Sequence, residues 1–243
     1  MQTGVDANPC RRSHQNGSNL KIISWNINGA RTKLEKANVY NFLSFYDIIS
    51  LNEVKTGLTI SIPGYVCYKS KAATSEASHR GGTIVFVKNY LARQIYNIDT
   101  SMVDQVWLNI RCVPNVTFGF CYVPPSDSPY FSPQSFVNIH EKMIDCLGNT
   151  KFCIIGDLNA RFGTSVRNIP LRSKVPAINS CTYPNIPDDI SCPNDNAYVL
   201  STLCVDNDLV VLNNVKTPSS HFPSRKTFKK RNQWVSELDT IFV

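Results

Sequence analysis

Phe152-Cys153-Ile154-Ile155-Gly156-Asp157-Leu158-Asn159-Ala160 is an apolar run of strand length and β-branched content that ends in a carboxylate and an amide. The same grammar recurs elsewhere. The strand predicted over Leu20–Trp25 runs into Asn26-Ile27-Asn28-Gly29, that over Ile48–Asn52 ends at Glu53, and that over Thr117–Cys121 ends at Tyr122. Each feature alone reads as readily as a turn, a solvated Glu53–Lys55 pair or an aromatic at a strand exit. Together they predict that four strands deliver polar groups to one edge of the sheets, where ligands bind in layered α/β folds.

Around these runs, further strands are predicted over Thr83–Lys88, Gln105–Arg111, Leu209–Asn213 and Leu238–Val243. Val39, Phe42, Leu43 and Tyr46 follow helical spacing, as do Phe136, Ile139, His140 and Met143, the latter opened by Ser132 as N-cap and Pro133 at the first helical position. A shorter helix is predicted over Asp195–Cys204, and a long surface loop over Arg161–Asn194. Residues 1–19 are expected to be a disordered polar leader, with one domain over residues 20–243.

Composition narrows the classes. A chain of 243 residues can bury roughly 70–75% of its unfolded surface in one core. With 42% hydrophobic and 18% charged residues it is neither disordered nor membrane-embedded, and no apolar run approaches the ~20 residues of a membrane span. The net charge of +7 is compatible with a polyanionic partner. Nine cysteines, several within apolar runs, read as reduced core thiols in an intracellular, unsecreted protein. Cys181, Cys192 and Cys204 lack the spacing of a zinc site.

These motifs resemble the endonuclease/exonuclease/phosphatase superfamily of divalent-metal phosphoesterases. Ser24-Trp25-Asn26-Ile27-Asn28-Gly29, Leu51-Asn52-Glu53-Val54-Lys55, Gly156-Asp157-Leu158-Asn159-Ala160 and Ser236-Glu237-Leu238-Asp239-Thr240-Ile241-Phe242 match its motifs in family order. The resemblance implies an α/β fold, a four-layer sandwich of two mainly antiparallel sheets flanked by helices. Within the superfamily the chain is most similar to the endonuclease domain of non-LTR retrotransposons. Asn28 stands where abasic-site repair endonucleases carry an acid, and Tyr122-Val123-Pro124-Pro125 has the retroelement pattern.

The resemblance further implies Mg²⁺, with Mn²⁺ as the substitute, held by Glu53 with help from Asn28. Asp157 would orient or deprotonate the attacking water, and Asn26, Asn159 and Tyr122 would donate to phosphate oxygens. Glu53 and Asp157 are expected to sit exposed at the site edge, so that alanine at either leaves the fold intact. Relatives continue into a Ser-Asp-His motif whose His is oriented by the acid that Asp239 matches. This chain stops at Val243, so a missing final strand and impaired activity are expected. Double-stranded DNA is the expected partner, with a reverse transcriptase domain in an intact parent polyprotein, no membrane and no small-molecule cofactor. The protein would be nuclear when acting on DNA. The basic run Arg225-Lys226-Thr227-Phe228-Lys229-Lys230-Arg231 is a candidate phosphate-binding strip, or else a solvated hairpin tip. The alternatives are a catalytically dead DNA-binding remnant, an abasic-site repair endonuclease, and a small-molecule phosphatase of the same superfamily.

Overall fold

The computed structural model describes residues 20–55, 60–71, 81–145, 151–160, 194–207 and 209, with the backbone of three further strands at 228–230, 233–236 and 239–242. The elements are β1 (Ile22–Asn26), α1 (Arg31–Leu34), α2 (Ala37–Leu43), β2 (Ile48–Asn52), β3 (Tyr65–Lys69), β4 (Ile84–Lys88), α3 (Asn89–Ala92) and β5 (Ile95–Asp99). They continue with β6 (Gln105–Ile110), β7 (Val116–Tyr122), α4 (Gln134–Asp145), β8 (Lys151–Asp157), α5 (Asp195–Asp206), β9 (Phe228–Lys230), β10 (Gln233–Ser236) and β11 (Asp239–Phe242).

Two mixed sheets carry the fold, one in the order β1-β2-β4-β3 and the other β11-β8-β7-β6-β5, with β9 and β10 paired separately. Each large sheet has one parallel pair, β1 with β2 and β7 with β8, and is otherwise antiparallel. Side chains alternate across each strand, and the central strands β2, β4, β6, β7 and most of β8 are buried on both faces. Ile48, Val85, Val87, Val106, Leu108, Phe118, Phe120 and Ile155 meet between the sheets. Ile49, Leu51, Ile84 and Phe86, on the other face of the first sheet, pack with Leu34 of α1 and Leu43 of α2. Trp107, Cys121 and Ile154, on the far face of the second sheet, pack with Phe136, Ile139 and Met143 of α4 and Leu200 and Leu203 of α5. Burial on both faces explains why these strands read as continuous apolar runs rather than alternating ones. The result is the expected four-layer α/β sandwich.

Local signals hold where packing agrees with them. Ser132 Oγ accepts from the Gln134 N–H at the start of α4, as the capping pattern predicts. Asn194 caps α5 by accepting from Ala197 N at 3.2 Å. The helix predicted around Val39 stops at Leu43, and Phe42, expected on its inward face, is 47% exposed with its ring edge against Tyr46. Val39, Tyr40 and Leu43 make the inward face instead. The apolar pattern misses strands β3 and β5: each is a sheet edge with several partly exposed residues, so neither has the apolar density of a central strand. Of the predicted strand Leu209–Asn213 only Leu209 is described, and residues 161–193 of the predicted loop lie outside the described residues.

Candidate active site

The parallel pairs decide where the polar groups go. In register, Asn26 lies beside Asn52 at the end of β1 and β2, and Tyr122 beside Asp157 at the end of β7 and β8. Each pair therefore ends together, and the two sheets bring those ends into hydrogen-bond contact. Asn26 Nδ2 donates to Glu53 Oε1 at 2.8 Å, within the first sheet, and to Asp157 Oδ2 at 2.6 Å, across to the second. Tyr122 Oη donates to the same Glu53 Oε1 at 2.9 Å. Four groups predicted separately thus form one network.

The backbone is shaped to this end. Asn28, Glu53, Lys55 and Asn159 all have φ between +43° and +52°, a region that costs most non-glycine residues energy and collects at functional sites. The ladder continues past the strands, with Gly29 N donating to Glu53 O and Ala30 N to Val54 O. Val54 and Lys55 in turn donate to the carbonyls of Gly82 and Gly81. Gly156, just before Asp157, has φ +154°, and a Cβ there would stand 1.8 Å from Cys121 O. Only glycine lets β8 approach β7 this closely and still present Asp157.

Asp157 is buried, at 1% exposure, against the expectation of an exposed carboxylate. Its Oδ1 accepts from Asn159 N at 3.1 Å. The segments around it close over it, because Asn159 Nδ2 holds Val123 O and Asn194 Nδ2 holds Asn159 O. Asn196, fully buried, donates to both Pro124 O and Leu158 O and so ties together the segments that follow β7 and β8. Its Oδ1 is buried with no hydrogen-bond partner. Neither Asn194 nor Asn196 stands out in the sequence, where the signal is only a polar cluster before a helix.

Burial raises the pKa of Glu53, but hydrogen bonds from Lys55, Asn26 and Tyr122 outweigh it and hold the carboxyl below its ordinary value. Tyr122 is pushed well up by burial and by the negative charges of Glu53, Asp157 and Asp104, so it stays a donor. Each expected phosphate donor is at least partly committed within the protein. Both N–H groups of Asn26 and the single O–H of Tyr122 are taken by carboxylates, and one N–H of Asn159 is taken by Val123 O.

A divalent ion fits the donors present. Lys55 Nζ lies 2.7 Å from Glu53 Oε2 and 2.7 Å from Asn28 Oδ1, so a carboxylate and an amide oxygen already converge on one positive charge. Oxygen donors with few carboxylates suit Mg²⁺, which keeps several waters. Among the described residues no three His, Cys, Asp or Glu side chains cluster as a closed metal cage.

Asp239 is the Cα partner of Asp157 in the β11–β8 register, which puts it at the same sheet end. Lys229 and Lys230 lie on β9, whereas Arg225, Lys226, Thr227 and Arg231 lie outside the described residues. No helix among the described residues is long and apolar enough to cross a membrane.

Paired strand ends thus gather Asn26, Glu53, Tyr122 and Asp157 into one hydrogen-bonded network at one end of an α/β sandwich. The model of the Endonuclease/Exonuclease/phosphatase family matches residues 23–224, and the chain belongs to that family. Over 174 residues it is 27% identical to the "Probable RNA-directed DNA polymerase from transposon X-element" of Drosophila melanogaster, a match that covers 65% of this chain but 18% of that protein. The fold is similar to AP endonuclease LMAP from Leishmania major, with a TM-score of 0.60 at 15% identity, over 91% of this chain and 78% of that one. It is also similar to the endonuclease domain of TRAS1, a telomere-specific non-LTR retrotransposon, with a TM-score of 0.52 at 15% identity, over 91% and 83% of the two chains.

Proposed function

We propose that this chain is a retroelement-type endonuclease domain that hydrolyses one strand of duplex DNA with Mg²⁺. The observation that carries the proposal is the Asn26 amide, which fixes Glu53 and Asp157 beside one another from two different sheets. Two carboxylates so placed, one meeting a cation and one held beside it by the shared amide, match the needs of phosphodiester hydrolysis. Glu53 and Asn28 would hold the ion, which supplies charge neutralisation on the phosphate oxygens.

The chain's own residues do the rest. Asp157 accepts a hydrogen bond from the attacking water and orients it in line with phosphorus. Asn26 holds both carboxylates in place and is a positioning residue more than a phosphate donor, since both its N–H groups are used. Tyr122 fixes the rotamer of Glu53. Asn159 keeps its second N–H for a phosphate oxygen. The attacking group is water, so hydrolysis is direct and needs no covalent intermediate. The basic strip of Arg225, Lys226, Thr227, Lys229, Lys230 and Arg231 adds sequence-independent phosphate binding, and neutralising any one of its cations should flatten the log–log salt slope by about 0.9. The likeness to a transposon polymerase supports a parent polyprotein with a reverse transcriptase domain.

Incubation of the chain with supercoiled plasmid tests this reading. Relaxed circles that form with Mg²⁺ and not with EDTA are expected. Relaxation that persists in EDTA, or none at any Mg²⁺ concentration, overturns it.

A further inference from the structure

Lys55 reads from sequence as half of a solvated ion pair, and the structure gives it a more specific position. Its ammonium touches two oxygens, Glu53 Oε2 and Asn28 Oδ1, each at 2.7 Å. The Glu53 carboxylate divides its work: Oε1 takes the anchoring donors Asn26 and Tyr122, while Oε2 faces Lys55. One oxygen fixes the group and the other meets a cation. The backbone supports the arrangement, since Glu53 and Lys55 both have left-handed φ and the Lys55 N–H is held by Gly81 O.

We infer that Lys55 is a resident cation in the place a divalent ion takes, and that metal binds this chain by exchange with the ammonium. The inference rests on the metal reading of Glu53 and Asn28 given above. Three observations carry it. The two oxygens converge on a single point, so an ammonium and a divalent ion cannot share it. The Glu53 side chain is 17% exposed and anchored, whereas that of Lys55 is 35% exposed and has water to swing into, so the lysine is the partner that leaves. Asn28 is neutral, so of the two oxygens that meet the ammonium only Glu53 Oε2 belongs to a charged group, and an ammonium and a divalent ion compete for that one carboxylate oxygen. The lysine thereby keeps a partly buried carboxylate paired when metal is absent, at the expense of metal affinity. A merely solvated pair would be worth little and would leave metal affinity alone.

Calorimetric titration of Mn²⁺ into the full chain, with thermal denaturation alongside, tests the exchange. Lys55→Met should bind Mn²⁺ about tenfold more tightly than the unaltered chain, the order expected on removing one charge roughly 5 Å from a divalent ion even at the dielectric of water. The metal-free Tm should fall, and the rise in Tm on adding Mn²⁺ should grow. Lys55→Arg, which keeps the charge, should not tighten binding, and Lys55→Gln serves as the neutral variant if Lys55→Met fails to fold. Equal or weaker Mn²⁺ binding by the neutral variants overturns the exchange while leaving the metal site standing. Absence of Mn²⁺ binding from the unaltered chain and the neutral variants alike overturns the metal reading and this inference with it.

Discussion

Asn26→Ala removes an amide that joins the two sheets at the site. Two hydrogen bonds to carboxylates disappear, at 2.8 Å to Glu53 and 2.6 Å to Asp157. Bonds to charged groups contribute about 1.5–3 kcal/mol each. Glu53 keeps Tyr122 and Lys55, and Asp157 keeps Asn159 N, which limits the loss. The expected destabilisation at neutral pH is therefore about 3 kcal/mol, or roughly 6–12 °C in Tm for a chain of this size. The effect has a definite pH dependence. Glu53 is held below its ordinary value of 4.5 in the folded state, burial being outweighed by its hydrogen bonds. A depressed carboxyl contributes stability that is present above pH 4.5 and lost as pH falls through the folded value. Asn26→Ala weakens that contribution, so the gap between variant and unaltered chain should be widest at neutral pH and close in acid. Urea denaturation at pH 7 and pH 3.5 measures both numbers. A difference under about 1 kcal/mol that is the same at both pH values would refute the reasoning.

Tyr122→Phe keeps the ring and deletes one bond to Glu53, so urea unfolding at pH 7 should show a loss of about 1.5–2 kcal/mol. Gly156→Ala sets a Cβ against the Cys121 carbonyl within the β7–β8 pair, and circular dichroism should find it unfolded or aggregated. Asn196→Leu leaves the carbonyls of Pro124 and Leu158 without their donor and should cost about 2–4 kcal/mol in denaturant titration, with nicking abolished as the segments beside Asp157 separate.

The candidate site is legible in the sequence because its logic is local: apolar strands that stop at Asn26, Glu53, Tyr122 and Asp157, with two parallel pairs to bring the ends together. What those groups do to each other is not. No pattern in the chain says that one Asn26 nitrogen serves two carboxylates, or that Lys55 leans into the cradle rather than into solvent. The burial of Asp157 depends on Asn159, Asn194 and Asn196, the last two in a stretch whose composition signals only a loop and a helix start. Strands β3 and β5 escape notice for the converse reason: an edge strand needs fewer apolar side chains than a central one, and its pairing is dictated by a neighbour far along the chain. Phe42 fits the helical spacing, yet the helix turns it outward. Periodicity fixes which residues share a face and leaves open how wide the buried stripe is.

The central claim, that Glu53 and Asp157 work as one metal-dependent phosphodiesterase site, is tested most directly by the single-turnover rate of Mg²⁺-dependent plasmid nicking by Asp157→Asn. This variant keeps the shape of a side chain that is 1% exposed, and near-UV circular dichroism can verify that it remains folded. Loss of the group that positions and polarises the attacking water should lower the rate by about 10²–10⁴-fold. A folded Asp157→Asn chain that nicks within about threefold of the unaltered rate would contradict the account, because the carboxylate at the centre of the network would then take no part in the reaction.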